Sequence, residues 1–113
     1  MRKIEQDIIN AIKCKHDVHL SKRDTVICGA TIVAYYLWET PIAIVYPDKV
    51  LVQSGGYRTR TTKSRLNAIL WEFCNMGISS VKGKWIVSAR YSGGETGITV
   101  FSEGMAIPRV IGR

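Results

Sequence analysis

Apolar residues recur at helical spacing in only two places along this chain, and the rest is a series of short β-branched runs cut by turn residues. Ile4, Ile8, Ala11 and Ile12 share one face of a helix predicted over about residues 2–16, with Lys3, Gln6, Asn10 and Lys13 on the other. Leu66, Ile69, Leu70 and Phe73 form the stripe of a second helix, capped by Thr61 or Thr62, running to about Asn75 and closed by a left-handed Gly77. Elsewhere strands are expected. Residues 25–38, nearly continuous in hydrophobicity, read as a strand buried on both faces, with Gly29 the natural place for a break. Glu39-Thr40-Pro41 reads as a turn, residues 42–46 and 50–53 as a hairpin across Pro47-Asp48-Lys49, and residues 78–81 and 85–89 as another across Lys82-Gly83-Lys84. Residues 91–95 are a loop, and 98–101 a further strand.

This order predicts an α+β fold in which a mainly antiparallel sheet of about five to six strands is packed by two helices. A length of 113 residues suits one domain over 1–113, with no repeat and no linker, ending in a basic tail at 108–113. Tyr35, Tyr36 and Trp38 are expected mostly in the core. Alternation sets Tyr36 and Trp38 on the face opposite Tyr35, so one face of that strand is a candidate partner-binding patch.

Several function classes are excluded at this stage. Cys14, Cys28 and Cys74 have no C-x-x-C spacing, and with only His16 and His19 beside them no zinc pattern exists. No base is placed by the sequence next to a nucleophile, and the nine acids are scattered, so no enzyme, no metal and no cofactor are expected. Glu5, Gln6, Asp7, Asn10 and Lys13 interrupt any secretory signal. The longest apolar run, residues 32–38, is far short of the roughly 20 residues a bilayer span needs. No membrane association and a reducing, cytoplasmic setting are the expectations.

Sixteen Lys and Arg against nine Asp and Glu give a net charge of +7, which favours a polyanionic partner by long-range attraction and counterion release. The densest cluster is Ser54-Gly-Gly-Tyr-Arg-Thr-Arg-Thr-Thr-Lys-Ser-Arg65, immediately before and within the first turn of the second helix. Helix N-termini carry unpaired N–H groups and partial positive charge. In an extended stretch Arg58 and Arg60 would project together along a phosphate backbone, joined by Thr62, Lys63 and Arg65. The competing reading is structural: a Ser-Gly-Gly bend, capping threonines and solvated arginines. The G-x-x-x-x-G-K spacing of a nucleotide-hydrolysing loop is absent. Tyr57 and Trp71, the latter pointing away from the helix stripe, are candidate stacking or partner-contact residues, against burial of Trp71 under the preceding loop. Lys82, Lys84 and Arg90 form a second basic set that merges with the first only if the later hairpin lies beside the Arg58–Arg65 segment.

Leu37-Trp-Glu-Thr-Pro-Ile-Ala43, the Ser54–Asn67 segment and Gly83-Lys-Trp-Ile-Val87 together resemble an uncharacterised family of small viral proteins, found mainly in bacteriophages and archaeal viruses. The resemblance covers about residues 31–90 and rests on the pattern Ser-x-Gly-aromatic-x-Thr-x-Thr-Thr-x-x-Arg-Leu-Asn. It implies a viral origin, and no activity comes with it. It marks Thr40, Gly56, Tyr57, Thr59, Thr61, Thr62, Arg65 and Asn67, of which Arg65 and Asn67 are suited to lock the helix start to the sheet by buried hydrogen bonds. Three functional expectations follow. The preferred one is an accessory protein that binds DNA or RNA through residues 54–65. A second is an anti-defence inhibitor that blocks a host protein complex, and a third is a homo-oligomeric assembly component.

Overall fold

The computed structural model describes residues 2–89 and 99–110. The first apolar stripe folds as α1 (Lys3–Cys14), which buries Ile8, Ile9, Ala11 and Ile12. A short strand β1 (Val18–His19) follows, then β2 (Asp24–Cys28) and β3 (Val33–Leu37). The expected long strand is thus an antiparallel hairpin that turns after Cys28, its Gly29 N–H donating to the Ile32 carbonyl at 2.7 Å. Nor is it buried on both faces. In β3 Val33, Tyr35 and Leu37 are buried while Ala34 and Tyr36 are half-buried, the alternation of a one-sided sheet.

β3 turns through Trp38 and Glu39 into β4 (Thr40–Val45), so Thr40 and Pro41 belong to the strand and not to the turn. Pairing shifts by one residue between Tyr35 and Tyr36, which face Ala43 and Pro41. The extra residue, Ile42, is buried beside Ala43, as a β-bulge requires. β5 (Lys49–Val52) completes the expected hairpin with β4.

The second helix, α2 (Arg60–Cys74), buries Leu66, Ile69, Leu70 and Phe73 as its stripe predicts. It ends on Asn75 in the left-handed conformation (φ 54°), one residue pair before the expected Gly77, which instead lies in β6 (Met76–Val81). β7 (Lys84–Ala89) pairs with β6 across a two-residue turn in which Lys82 and Gly83 both have positive φ. β8 (Thr99–Val100) pairs with β7, and β9 (Met105–Pro108) returns to β5. The loop expected at 91–95, Ile98 and Arg90 lie outside the described residues.

Two antiparallel sheets result, one in the order β1-β2-β3-β4-β5-β9 and one in the order β6-β7-β8. The architecture is α+β, as the element order predicts, with the strands divided between two sheets. Both helices pack on the same face of the larger sheet. Val26, Tyr35, Ala43, Val50 and Val52 from that face join Ile9, Leu66 and Ile69 in one core, which Trp85, Val87 and Phe101 extend into the smaller sheet.

Candidate functional site

The arginine-rich segment begins where β5 ends. Ser54 is buried, and Gly55 and Gly56 both take positive φ (67° and 85°), so the chain reverses in two residues. A Cβ on Gly55 would stand 2.6 Å from Thr40 Cγ2, so the bend also needs this glycine to lie against the start of β4. Glu103, in the turn between β8 and β9, holds the bend from the far side. Its carboxylate accepts from the Ser54 N–H (2.6 Å) and hydroxyl (2.7 Å) and from Arg58 (3.4 Å). Partial burial would raise the Glu103 pKa, but these donors outweigh it and hold the carboxyl below its ordinary range.

Arg58 is occupied locally. Besides Glu103, its guanidinium lies 5.6 Å from the Trp85 ring centre and 5.2 Å from that of Phe101, two rings that meet edge to face at 5.3 Å. It does not share an extended edge with Arg60. Thr59 takes extended angles (φ −90°, ψ 168°) and accepts from the Thr62 N–H, so the helix starts at Arg60, ahead of both expected caps. Thr62 is 1% exposed and hydrogen-bonded to the Thr59 hydroxyl, which removes it from the set of candidate ligand contacts.

Arg65 leaves that set for a stronger reason. Its side chain is 1% exposed, with Nε donating to Asp24 Oδ1 at 2.9 Å and Nη1 to Glu5 Oε2 at 3.0 Å. Asp24 also accepts from the Ser21 hydroxyl (2.6 Å) and from the Tyr35 hydroxyl, and Glu5 from the Ser64 hydroxyl. One guanidinium thus ties α2 to α1 and to β2. Burial works against the charged Asp24, but the hydrogen bonds from Arg65, Ser21 and Tyr35 prevail and its pKa falls. Burial also works against the charged Arg65, and Asp24 outweighs it, so the guanidinium is held charged. Tyr35 is pushed up by burial and then by Asp24.

Asn67, two turns into the same helix, donates Nδ2 to the Ile78 carbonyl (3.0 Å) and accepts from the Ile78 N–H (2.5 Å). This amide takes the place of a neighbouring strand at the edge of β6. Trp71 is half-buried. Its Nε1 lies 2.6 Å from where a Cβ on Gly77 would be, so it packs against that glycine and is no free platform.

What stays open is a different group of residues. Arg60 and Thr59 are exposed, Tyr57 is 71% exposed, and Lys63 reaches over to the Ser80 hydroxyl at 3.1 Å. Ser80 pairs with Trp85, the ring under Arg58. The β6–β7 hairpin therefore lies beside the segment, with the exposed Lys82 in its turn, while alternation sets Lys84 on the hairpin face opposite Ser80 and Trp85. α2 has no acidic residue in its first turn and two cations there, an arrangement that the helix dipole disfavours.

Next to this basic face is a cleft of about 610 Å³, lined by Arg23, Trp38, Thr40, Tyr57, Thr59 and Thr61 among others. Trp38, expected mostly in the core yet on the strand face that is the candidate partner-binding patch, is 64% exposed and not part of the core. It sits at the first position of the β3–β4 turn with φ 58°, and Glu39 does not share the positive angle. That is a turn whose first residue is normally glycine. An L side chain in the left-handed region costs roughly 1–2 kcal/mol, and here the side chain is also a large apolar one facing water. The sequence signal was available: a tryptophan three residues before Pro41 at the end of an apolar run, where the next element has to begin.

The thiols do not join this site. Cys74 is buried, donates to the Ile107 carbonyl at 3.6 Å and is pushed up to about 11 by burial. Cys28 is raised by burial and then by Asp17. Among the described residues no group of His, Cys, Asp and Glu is arranged to hold a metal ion, and no helix is long and apolar enough to cross a membrane.

Neither the curated proteins nor the solved structures returned a match to the chain. A family model does match, that of the Kyanoviridae Gp96 protein, over residues 1–108. The match takes in both helices and β1 to β9, well beyond the central motif, and the chain therefore belongs to this bacteriophage protein family.

Proposed function

We propose that this phage protein is a non-catalytic accessory factor that binds nucleic acid with unpaired bases in the host cytoplasm. The observation that carries the reading is the exposed Trp38, held at positive φ beside the exposed Tyr57. The pair flanks a cleft whose lining includes Arg23, Glu39, Thr59 and Thr61; Arg60 and Lys63 stand on the first turn of α2 next to it and Lys82 in the turn of the adjacent hairpin, four cations with Arg23. Aromatic faces stack on unpaired bases, cations track the phosphates, and the helix N-terminus favours an anion. Arg58 and Arg65, central to the sequence expectation, take structural roles here.

The test is fluorescence anisotropy of labelled single-stranded DNA, single-stranded RNA and duplex across a salt series. Four phosphate contacts give a slope of about −3 in log K against log salt for a single strand. Trp38→Gly is expected to weaken binding at least ~10-fold, consistent with a stacked base worth roughly 1–3 kcal/mol. It should leave the fold intact or firmer, because glycine suits the turn. No binding to any of the three at low salt, or binding unchanged by Trp38→Gly, rejects the proposal.

The same exposed Trp38 favours a second reading, a host protein partner anchored on it in an anti-defence role. A partner retained from nuclease-treated host lysate by the wild type and lost with Trp38→Gly would select that reading.

A further inference from the structure

The face of the larger sheet turned away from the helices carries a row of directly paired residues. Ile27 faces Ala34, Ala34 faces Ile44, Ile44 faces Leu51 and Leu51 faces Ala106, so five strands contribute one apolar residue each at the same level. None of the five belongs to the core, and Ile27 is 47% exposed. The outward strand positions around the row hold a single formal charge, Lys49, whose ammonium lies 5.1 Å from the Tyr46 ring centre. On a chain of net charge +7 this is an electrically quiet face, where two copies can approach with least repulsion.

The order of sizes along the row suggests the occupant. Read from β2 to β9 it is large, small, large, large, small, with Ile44 in the middle. Turning a second copy about a two-fold axis parallel to β4 reverses the row and brings Ile27 onto Ala106 and Ala34 onto Leu51. Only Ile44 then meets its own copy. Every large side chain away from the axis lands on a small one. This is the self-complementarity an isologous interface needs, in the aligned geometry of packed sheets.

Extent is adequate as well. The five strands of the row, spaced ~4.8 Å apart and four to six residues long, give a face of roughly 19 by 17 Å, to which the short β1 adds one more spacing. Its side-chain relief brings the accessible area toward the roughly 600 Å² per partner of the smaller specific interfaces. We propose that this face is a symmetric homodimer interface with Ile44 on the two-fold axis, weak enough to be governed by concentration. The proposal is independent of the nucleic-acid reading, which concerns the opposite end of β3 and the start of α2.

Sedimentation equilibrium of the full chain tests it over concentrations from a few micromolar to several hundred micromolar. The expected result is a mass that climbs from 12.6 kDa toward twice that value, more steeply at high salt, because screening weakens the repulsion between two basic copies. Ile44→Lys, which sets two ammonium groups against each other on the axis, should hold the protein monomeric at every concentration with an unchanged circular dichroism spectrum. Ala34→Leu sets leucine against Leu51 and should weaken association at least tenfold, and adding Leu51→Ala should restore it by exchanging the sizes. A chain monomeric throughout the range overturns the proposal. So does an Ala34→Leu variant that associates more strongly than wild type, which is what unspecific apolar contact would give. A nucleic-acid affinity unaffected by Ile44→Lys would leave the earlier reading intact whatever the outcome here.

Discussion

Replacing Arg65 by methionine removes one guanidinium and strands two carboxylates. The side chain is 1% exposed and donates to Asp24 at 2.9 Å and to Glu5 at 3.0 Å. After the change Asp24 keeps the Ser21 and Tyr35 hydroxyls and the longer contact from the half-exposed Arg23 (3.8 Å), and Glu5 keeps Ser64 as its side-chain donor. Breaking a buried ion pair from one side costs about 3–5 kcal/mol, because the remaining buried charge is left without water and without its close counter-charge. A small domain has only ~5–15 kcal/mol of total stability, so a large part of it is at stake. In urea this is a midpoint shift of roughly 2–3 M at a slope of about 1.5 kcal/mol per M, followed by tryptophan fluorescence and far-ultraviolet circular dichroism. Arg65→Lys keeps the charge and loses the fork that serves both carboxylates, and a smaller loss of ~1.5–3 kcal/mol is expected. Combining Arg65→Met with Glu5→Gln and Asp24→Asn should recover at least about half of the loss, since the stranded charges are the main cost. A shift below ~1 kcal/mol for Arg65→Met, or a triple variant no better than the single one, would refute the reasoning.

Asp24 in this network and Glu103 at the Ser54 bend set the acid response. Asp24 and Glu103 titrate below their ordinary 3.8 and 4.5, so at low pH the unfolded chain binds more protons than the folded one. Their stabilisation is complete above the ordinary values and drains away as pH falls through the lower folded ones. Urea midpoints measured from pH 3 to 6 should therefore rise, with a shallower slope in Asp24→Asn. Asn67→Ala leaves the Ile78 N–H and carbonyl without their partner and should cost about 1–3 kcal/mol. Hydrogen exchange should locate the loss of protection at the Ile78 amide. Gly77→Ala places a Cβ 2.6 Å from Trp71 Nε1, so the indole has to move. A loss of about 1–3 kcal/mol with an altered tryptophan emission spectrum is expected, and an unchanged spectrum would argue against the packing.

Local order was legible in the sequence because its signals are local. The stripe from Leu66 to Phe73 is read from periods of three and four, the hairpins at Pro47–Lys49 and Lys82–Lys84 from residues suited to tight turns, and both lie where expected. The α+β class follows from their order. Where boundaries failed, the competing choice was also local: Thr59 and not Thr61 or Thr62 caps α2, and Asn75 and not Gly77 ends it. A run of threonines offers several equivalent caps, and asparagine is the commonest residue after glycine to take the left-handed conformation at a helix end.

Which arginine meets solvent is a different kind of question. Arg58, Arg60 and Arg65 are alike as letters, yet Arg58 meets Glu103, Arg60 is exposed, and Arg65 meets Asp24 and Glu5, which are 41 and 60 residues away. Sequence periodicity contains no term for a carboxylate that folding brings from so far away. Trp38 was expected mostly in the core because it ends a long apolar run, with the partner-patch face as the alternative, and the turn between β3 and β4 puts it in water. The row from Ile27 to Ala106 is likewise invisible along the chain, because it exists only once the registers of five strands are set. The sequence by itself determined which segments coil and which extend. Tertiary structure decided which charges are paired inside the protein and which remain in solvent, since that depends on desolvation and on distances between residues remote in the chain.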